Sequence, residues 1–199
     1  MNKIITVSRE FGSGGRELGK RLAETLGIAF YDKEIISEIA NKTALADEYV
    51  NQVVERRIVT YYPITTSRSF YSTVDPQNDI NNAIYAEQSN ILREMAQKSD
   101  CVIVGRCSDY ILRDYDPYRI FVYADMESKL ARCRQRAPGD EHLTDRELQR
   151  KIKAVDKSRA KYYQFFTGRN WADRLNYDLC INTSGREIKP IVNAIAKIV

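Results

Sequence analysis

Arg9, the run Gly12-Ser13-Gly14-Gly15, Arg16, Arg106, Arg132, Arg136 and Arg159 are residues of this chain, chiefly glycines and arginines, that could together bind and react with an anion. Successive glycines let backbone N–H groups approach a ligand with no Cβ in the way, and guanidinium groups hold oxyanions as planar forks. Together they suit a polyanion. A phosphoryl group in transit carries charge spread over its equatorial oxygens, and its transfer needs positioning and neutralisation more than a covalent nucleophile. Nothing in the sequence has the look of a Ser-His-Asp or Cys-His arrangement: His142 is the only histidine, and it follows a Pro-Gly turn where it reads as incidental. No metal-ligand cluster is visible.

The first of these groups has its support written around it. Ile4-Ile5-Thr6-Val7 is a short β-branched run that predicts a buried strand. After the glycines, Leu18, Leu22 and Leu26 with Ala23 mark the apolar stripe of a helix that Gly27 stops. A strand, a glycine turn and a helix bring bare N–H groups and the positive end of a helix dipole to one point. The strict phosphate-loop pattern G-x-x-x-x-G-K-[ST] is matched only in part. Placed at the strand's end it falls on Arg9 to Arg16, with Gly14 as its second glycine but Arg9 for the first, Gly15 for the lysine and Arg16 for the hydroxyl residue. The register Gly14 to Lys20 fits literally, but the chain is helical there and Lys20 falls on the solvated side. The turn therefore reads as a phosphate site flanked by Arg9 and Arg16, or as a ligand-free bend.

Ile28 to Tyr31 predicts a second strand, and Asp32 either caps the helix after it (Ile35, Ile36, Ile39 and Ala40 inward) or meets a substrate. A helix is expected over 46–58. Residues 60–78 lose periodicity and mix aromatics, hydroxyls, two prolines and Arg68, as a substrate-side flap or a dimer contact would. A helix over 79–98 should point Ile80, Ile84, Ile91 and Met95 inward. Cys101 to Val104 is a continuous apolar run, as in a parallel sheet covered on both faces, and runs into Gly105-Arg106. That sets a cationic fork at the carboxyl end of a strand, where open α/β sheets bind ligands, although Arg106 could instead pair with a structural carboxylate.

Residues 119–124 predict a strand and 126–136 a helix on which Arg132 and Arg136, four apart, share a face. Thr144 and Glu147 form a capping box for a helix with the stripe Leu148, Ile152, Val155, Tyr162 and Phe166. Arg159 lies on that stripe. An inward arginine must be neutralised, by Asp156 one turn back, by an anion in a cleft, or by both; the cleft is favoured. An aromatic-plugged turn to Trp171, a strand over 177–182 and a terminal helix capped by Ser184 and Glu187 complete the chain. Alternating strands and helices imply a parallel sheet with right-handed crossovers.

At 199 residues, 43% apolar and +4 net charge with both signs interspersed, the composition suits one globular α/β domain and argues against nucleic acid or a membrane as partner. No apolar run nears the roughly 20 residues that span a bilayer, and no signal peptide precedes the first strand. Cys101, Cys107, Cys133 and Cys180 form no C-x-x-C pair, so free buried thiols in a reducing cytoplasm are expected.

SREFGSGGRELGKRLAETLG with FYDKEII, CVIVGRCSDYILRD, KAVDKSRAKYYQFFTGRNW and NYDLCINTS, in that order over nearly the whole chain, resembles the cytidylate kinase-like family of P-loop nucleoside monophosphate kinases. The resemblance implies a three-layer P-loop-type α/β domain with a five-stranded parallel sheet, its core at 1–37, 86–136 and 145–199. It also implies a nucleoside monophosphate-binding insertion near 38–85, a short lid near 137–144, and ATP with Mg²⁺ acting on a nucleoside monophosphate, with a catalytically silent nucleotide-binding relative as the alternative. Carried over by position, Gly12, Ser13, Gly14, Gly15 and Arg16 fall on the phosphate loop, joined by Arg9. Asp32, Gly105, Arg106 and Arg159 fall on the acceptor site, and Arg132 and Arg136 on the lid-side arginines, with Arg16 and Arg159 also acting in catalysis. Two positions depart from the pattern. The loop lysine and hydroxyl are absent, with Ser13 the nearest substitute for the hydroxyl, and Cys107 stands where an aspartate would read the cytosine ring.

Overall fold

The computed structural model describes residues 2–32, 34–43, 76–136 and 143–199. The helix expected over 46–58, most of the 60–78 segment, His142 and most of the expected insertion and lid lie outside them.

Five strands form one parallel sheet in the order β2-β3-β1-β4-β5: β1 Ile4–Arg9, β2 Ala29–Tyr31, β3 Cys101–Val104, β4 Tyr118–Tyr123 and β5 Leu179–Asn182. β1 runs down the middle, paired with β3 (Ile5 opposite Val102) and with β4 (Val7 opposite Ile120). The exits of β1 and β3, carrying the glycine turn and Gly105-Arg106, therefore emerge side by side.

Alternation along the strands sorts side chains to two faces. Ile5, Val7, Val102 and Val104 pack with Leu18, Leu22 and Ala23 of α1 (Gly15–Leu26) and with Ile188, Val192 and Ile195 of α7 (Ile188–Ile195). Ile4, Cys101 and Ile103 pack on the other face. Their partners there are Ile35 of α2 (Glu34–Thr43), Ile84, Ile91 and Leu92 of α3 (Pro76–Lys98), Ile111 of α4 (Ser108–Ile111) and Tyr162 and Tyr163 of α6 (Asp145–Thr167). α5 (Met126–Arg136) precedes α6 in the chain. The result is a helix–sheet–helix sandwich. Among the described residues no helix is long and apolar enough to cross a membrane.

Several local expectations change. Helix α3 starts at Pro76, three residues early; Ile80 is 38% exposed, because the stripe reaches the core only from Ile84. Gln88, unremarkable in the sequence, is fully buried on that stripe and donates to the Arg106 carbonyl (2.9 Å). Thr144 and Glu147 do form the capping box of α6. The terminal helix is not capped by Ser184: its hydroxyl accepts from Asp125 N (2.7 Å), and the residue before α7, Glu187, makes no side-chain cap bond. Cys101 and Cys107 are buried, whereas Cys180 is exposed.

Candidate functional site

The glycine turn is shaped by what surrounds it. Gly12 has φ 78°, in the left-handed region, and a Cβ there would come within 3.0 Å of both Cys133 Sγ and the Lys129 carbonyl. A side chain at this position would be strained and would collide with the backbone of α5. Ser13 is fully buried and donates to the Glu10 carbonyl (2.8 Å), so its hydroxyl faces the fold. Helix α1 begins with Leu18 N donating to Gly14 O (2.9 Å). The amides before Leu18 have no acceptor within the helix and carry its positive dipole end. Lys20 is exposed and 3.8 Å from Glu24, on the solvent side as expected.

Around this turn lies a cleft of about 290 Å³. It is lined by Arg9, Gly12, Gly14, Gly15, Arg16, Arg132, Arg136 and Arg159, with Glu10, Phe11, Cys133, Leu148 and Lys151 between them. A smaller cavity of about 40 Å³ adjoins the exit of β3, lined by Ser8, Arg9, Gly105, Arg106, Cys107 and Arg159 and walled by Tyr162, Tyr163 and Trp171. Arg9 and Arg159 border both spaces.

Each arginine is held differently. Arg9 passes over Gly105, where a Cβ would lie 1.8 Å from its Nη1, and its Nη2 is 3.7 Å from Asp32. Asp32, 4% exposed, also takes the Arg16 Nε–H, so the structure makes it the shared counter-ion of Arg9 and Arg16. Arg106 is 8% exposed at φ 63°, its main chain fixed by Gln88. Arg159 donates to the Arg9 carbonyl (3.1 Å), lies 3.9 Å from Asp156 and stands over the Phe11 ring. It thus has a carboxylate one turn back and a place in the lining of the cleft. Arg132 donates to the carbonyls of Thr183, Arg186 (3.0 Å) and Ser13 (3.5 Å) and to Thr183 Oγ1 (3.2 Å). Burial and the neighbouring Arg136 pull its pKa below the usual value. Arg136 pairs with Glu17 of α1, and Arg134 with Asp145 (2.8 Å).

Four further residues belong to the site. Lys129, 7% exposed at its side chain, sets Nζ 2.8 Å from Glu10 and 3.2 Å from Asp156. Asp156 in turn accepts from Phe11 N (2.7 Å), and burial is the main reason its pKa is raised. Thr183 donates to the Ser13 carbonyl (2.7 Å). The one available signal for Lys129 was its helical spacing from Met126 and Cys133, which turns it inward on an otherwise charged helix.

Beside the small cavity, Cys107 is buried and its thiol pKa is pushed well up, by burial first and then by Asp109. Asp109 is 4% exposed and accepts from Tyr163 OH (2.6 Å). Burial raises its carboxyl pKa as well, the tyrosine bond opposing this. Among the described residues no cluster of three metal-binding side chains occurs, and the only carboxylate lining the cleft, Glu10, is tied to Lys129.

Residues 4–185 match the cytidylate kinase-like family. The chain is similar to a cytidylate kinase from Methanopyrus kandleri, 25% identical over 91% of this chain and 84% of that protein. Among solved structures it resembles an uncharacterized protein from Eubacterium ventriosum (27% identity, TM-score 0.71, 98% and 97% of the two chains). A shikimate kinase from Bacteroides thetaiotaomicron shares the fold (16% identity, TM-score 0.57, 100% and 98%).

Proposed function

The chain belongs to the cytidylate kinase-like family, and from that premise we propose that it moves the γ-phosphoryl group of ATP to a nucleoside monophosphate, CMP-like by default, or a related small acceptor. Family and fold make it a kinase-type phosphotransferase; acceptor and residue roles are the proposal. The observation that carries it is the wall shared by the two spaces: Arg9 and Arg159 border both the cleft at the glycine turn and the cavity of Arg106.

In this reading the triphosphate lies against the first amides of α1, with Arg16, Arg132 and Arg136 around it. The acceptor's anion is held by Arg106, and Arg9 and Arg159 face the group as it crosses. Their fixed charges meet the charge on the equatorial oxygens without reorganising. Mg²⁺ would arrive on the phosphates of ATP, mostly hydrated, since the described residues supply no set of ligands for it. The insertion near 38–85 and the lid near 137–144 would cover the acceptor and the donor, and a homodimer through 60–78 belongs to the same proposal.

An acceptor that brings its own ionised oxygen suits the small cavity best. Its described lining holds no carboxylate and no histidine to take a proton from a hydroxyl. A phosphate monoester is largely dianionic at pH 7, its second pKa being about 6, so it needs no general base. Cys107, neutral and buried, cannot replace the aspartate that would read a cytosine ring. Base choice then falls to residues outside the described ones.

The test is coupled turnover with ATP·Mg²⁺ across a panel of nucleoside monophosphates, with Arg16→Ala and Arg159→Ala alongside. Transfer should fall about a hundredfold or more in Arg159→Ala; turnover indifferent to both changes removes the site. One observation favours the second reading, a silent nucleotide-binding relative: Arg16, the cation next to the position of the lost lysine, is already engaged by Asp32. ATP bound tightly with no acceptor consumed would decide for it.

A further inference from the structure

Behind the glycine turn sits one group of charges that phosphate binding does not itself use: Lys129 of α5, Glu10 at the exit of β1 and Asp156 of α6. We propose that Lys129 is a positioning residue that holds the glycine turn and Arg159 in the arrangement that receives polyphosphate, an inference that rests on the phosphate reading of the cleft.

Lys129 touches the turn at both its ends. Its main chain lies so near Gly12 that a Cβ there would be 3.0 Å from the Lys129 carbonyl. Its ammonium, 2.8 Å from Glu10 and 3.2 Å from Asp156, joins the segment entering the turn to helix α6. Asp156 passes the constraint on through its other oxygen, which accepts the Phe11 amide at 2.7 Å and lies 3.9 Å from Arg159. Arg159 is in turn bonded to the Arg9 carbonyl at 3.1 Å. Two cations and two carboxylates balance here, so the group lends geometry to the turn and little net field.

The balance determines what happens when the ammonium is lost. Glu10 and Asp156 would face each other with no cation between them, and a buried carboxylate draws the nearest positive group. That group is Arg159, at 3.9 Å. It would close on Asp156 and withdraw from the cleft it shares with the turn. Lys129 therefore acts through Arg159, without touching the ligand.

The experiment measures the affinity of the whole chain for inorganic tripolyphosphate by titration calorimetry. It compares wild type, Lys129→Met, Arg159→Ala, the double variant Lys129→Met/Arg159→Ala, and Lys129→Met/Asp156→Asn. Lys129→Met should bind about tenfold more weakly, and the double variant with Arg159→Ala no more weakly than Arg159→Ala alone, because both changes remove one interaction. Neutralising Asp156 removes the pull on Arg159, so Lys129→Met/Asp156→Asn should return to within about threefold of wild type. A general loss of structure would not produce that recovery. Where Lys129→Met does not fold, Lys129→Gln takes its place in each comparison. Wild-type affinity in Lys129→Met, or losses that multiply in the double variant with Arg159→Ala, overturn the inference alone. A wild-type chain with no affinity for tripolyphosphate overturns the phosphate reading, and this inference with it.

Discussion

The glycine turn is braced from two sides by opposite means. Toward β5, Arg132 reaches three carbonyls and a hydroxyl, and Thr183 reaches the Ser13 carbonyl, with no carboxylate bonded to either. Toward α6, the brace is a cluster of Lys129, Glu10, Asp156 and Arg159 in which every cation meets a carboxylate. Neutral acceptors leave the guanidinium its full charge, so the Arg132 side can both hold the turn and attract an anion. On the α6 side Lys129 is matched by Glu10 and Asp156 and only holds, which leaves Arg159, 3.9 Å from Asp156, to face the cleft. Similar mechanical roles thus carry different electrostatic consequences.

Four measurements would break or sharpen this contrast. The largest effect should come from Asp156→Ala, which takes away one of the two carboxylates of Lys129 and the acceptor of the Phe11 amide. Breaking such a pair costs roughly 3 kcal/mol, read by denaturant unfolding. Removing Lys129 as well should cost less than the two single losses summed, and simple additivity would deny the coupling. Arg132→Ala should cost about 2 kcal/mol by removing charge-assisted hydrogen bonds to three carbonyls. Arg132→Lys should not restore it, since an ammonium cannot span them. Next come two glycines, both at positive φ (78° and 83°). A Cβ at Gly12 meets the Lys129 carbonyl at 3.0 Å, whereas at Gly14 it meets the tip of Ile188 at 2.7 Å, which can swing aside. Gly12→Ala should therefore be the more damaging of the two by about 1 kcal/mol; equal melting temperatures would place the rigid contact elsewhere.

The smallest effect is in pH. Asp156 has a folded-state pKa above its unfolded value, chiefly through burial, so the native chain holds that proton more tightly. Its ionisation then costs stability as pH rises from about 4, the unfolded value, through the folded one. The stability gap between wild type and Asp156→Asn should narrow over that window, measured by melting at several pH values. The gap to Arg132→Ala should stay flat there, because an arginine does not titrate. A gap to Asp156→Asn that widens instead would reverse the sign of the burial effect.

Much of the fold could be read from the residues because local patterns carry it. Ile4 to Val7, the stripe of Leu18 and Leu22 and the Thr144-Glu147 box each state their element within a few positions. Gly105-Arg106 declared a strand exit, and the helical spacing of Arg159 declared an inward cation. The counter-ions were harder to see. Asp32, preceding a helix, could be read as its cap or as a substrate contact, and only the reach of Arg9 across Gly105, from β1 past the β3 exit, together with Arg16, makes it their shared partner. Ser184 looked like a cap for the same kind of reason, but the turn after β5 gives its hydroxyl to Asp125.

Hydrophobic period and glycine's freedom act over a turn or two of chain, so the five strands, most of the described helices, the glycine turn and the inward side of Arg159 could be read from local pattern. Which charges meet was settled by the folded arrangement alone. Lys129 stands 119 positions after Glu10 and 27 before Asp156, and Ser13 pairs with Thr183 across 170. A Coulombic or hydrogen-bonded contact depends on distance in space, which no local pattern of residues encodes.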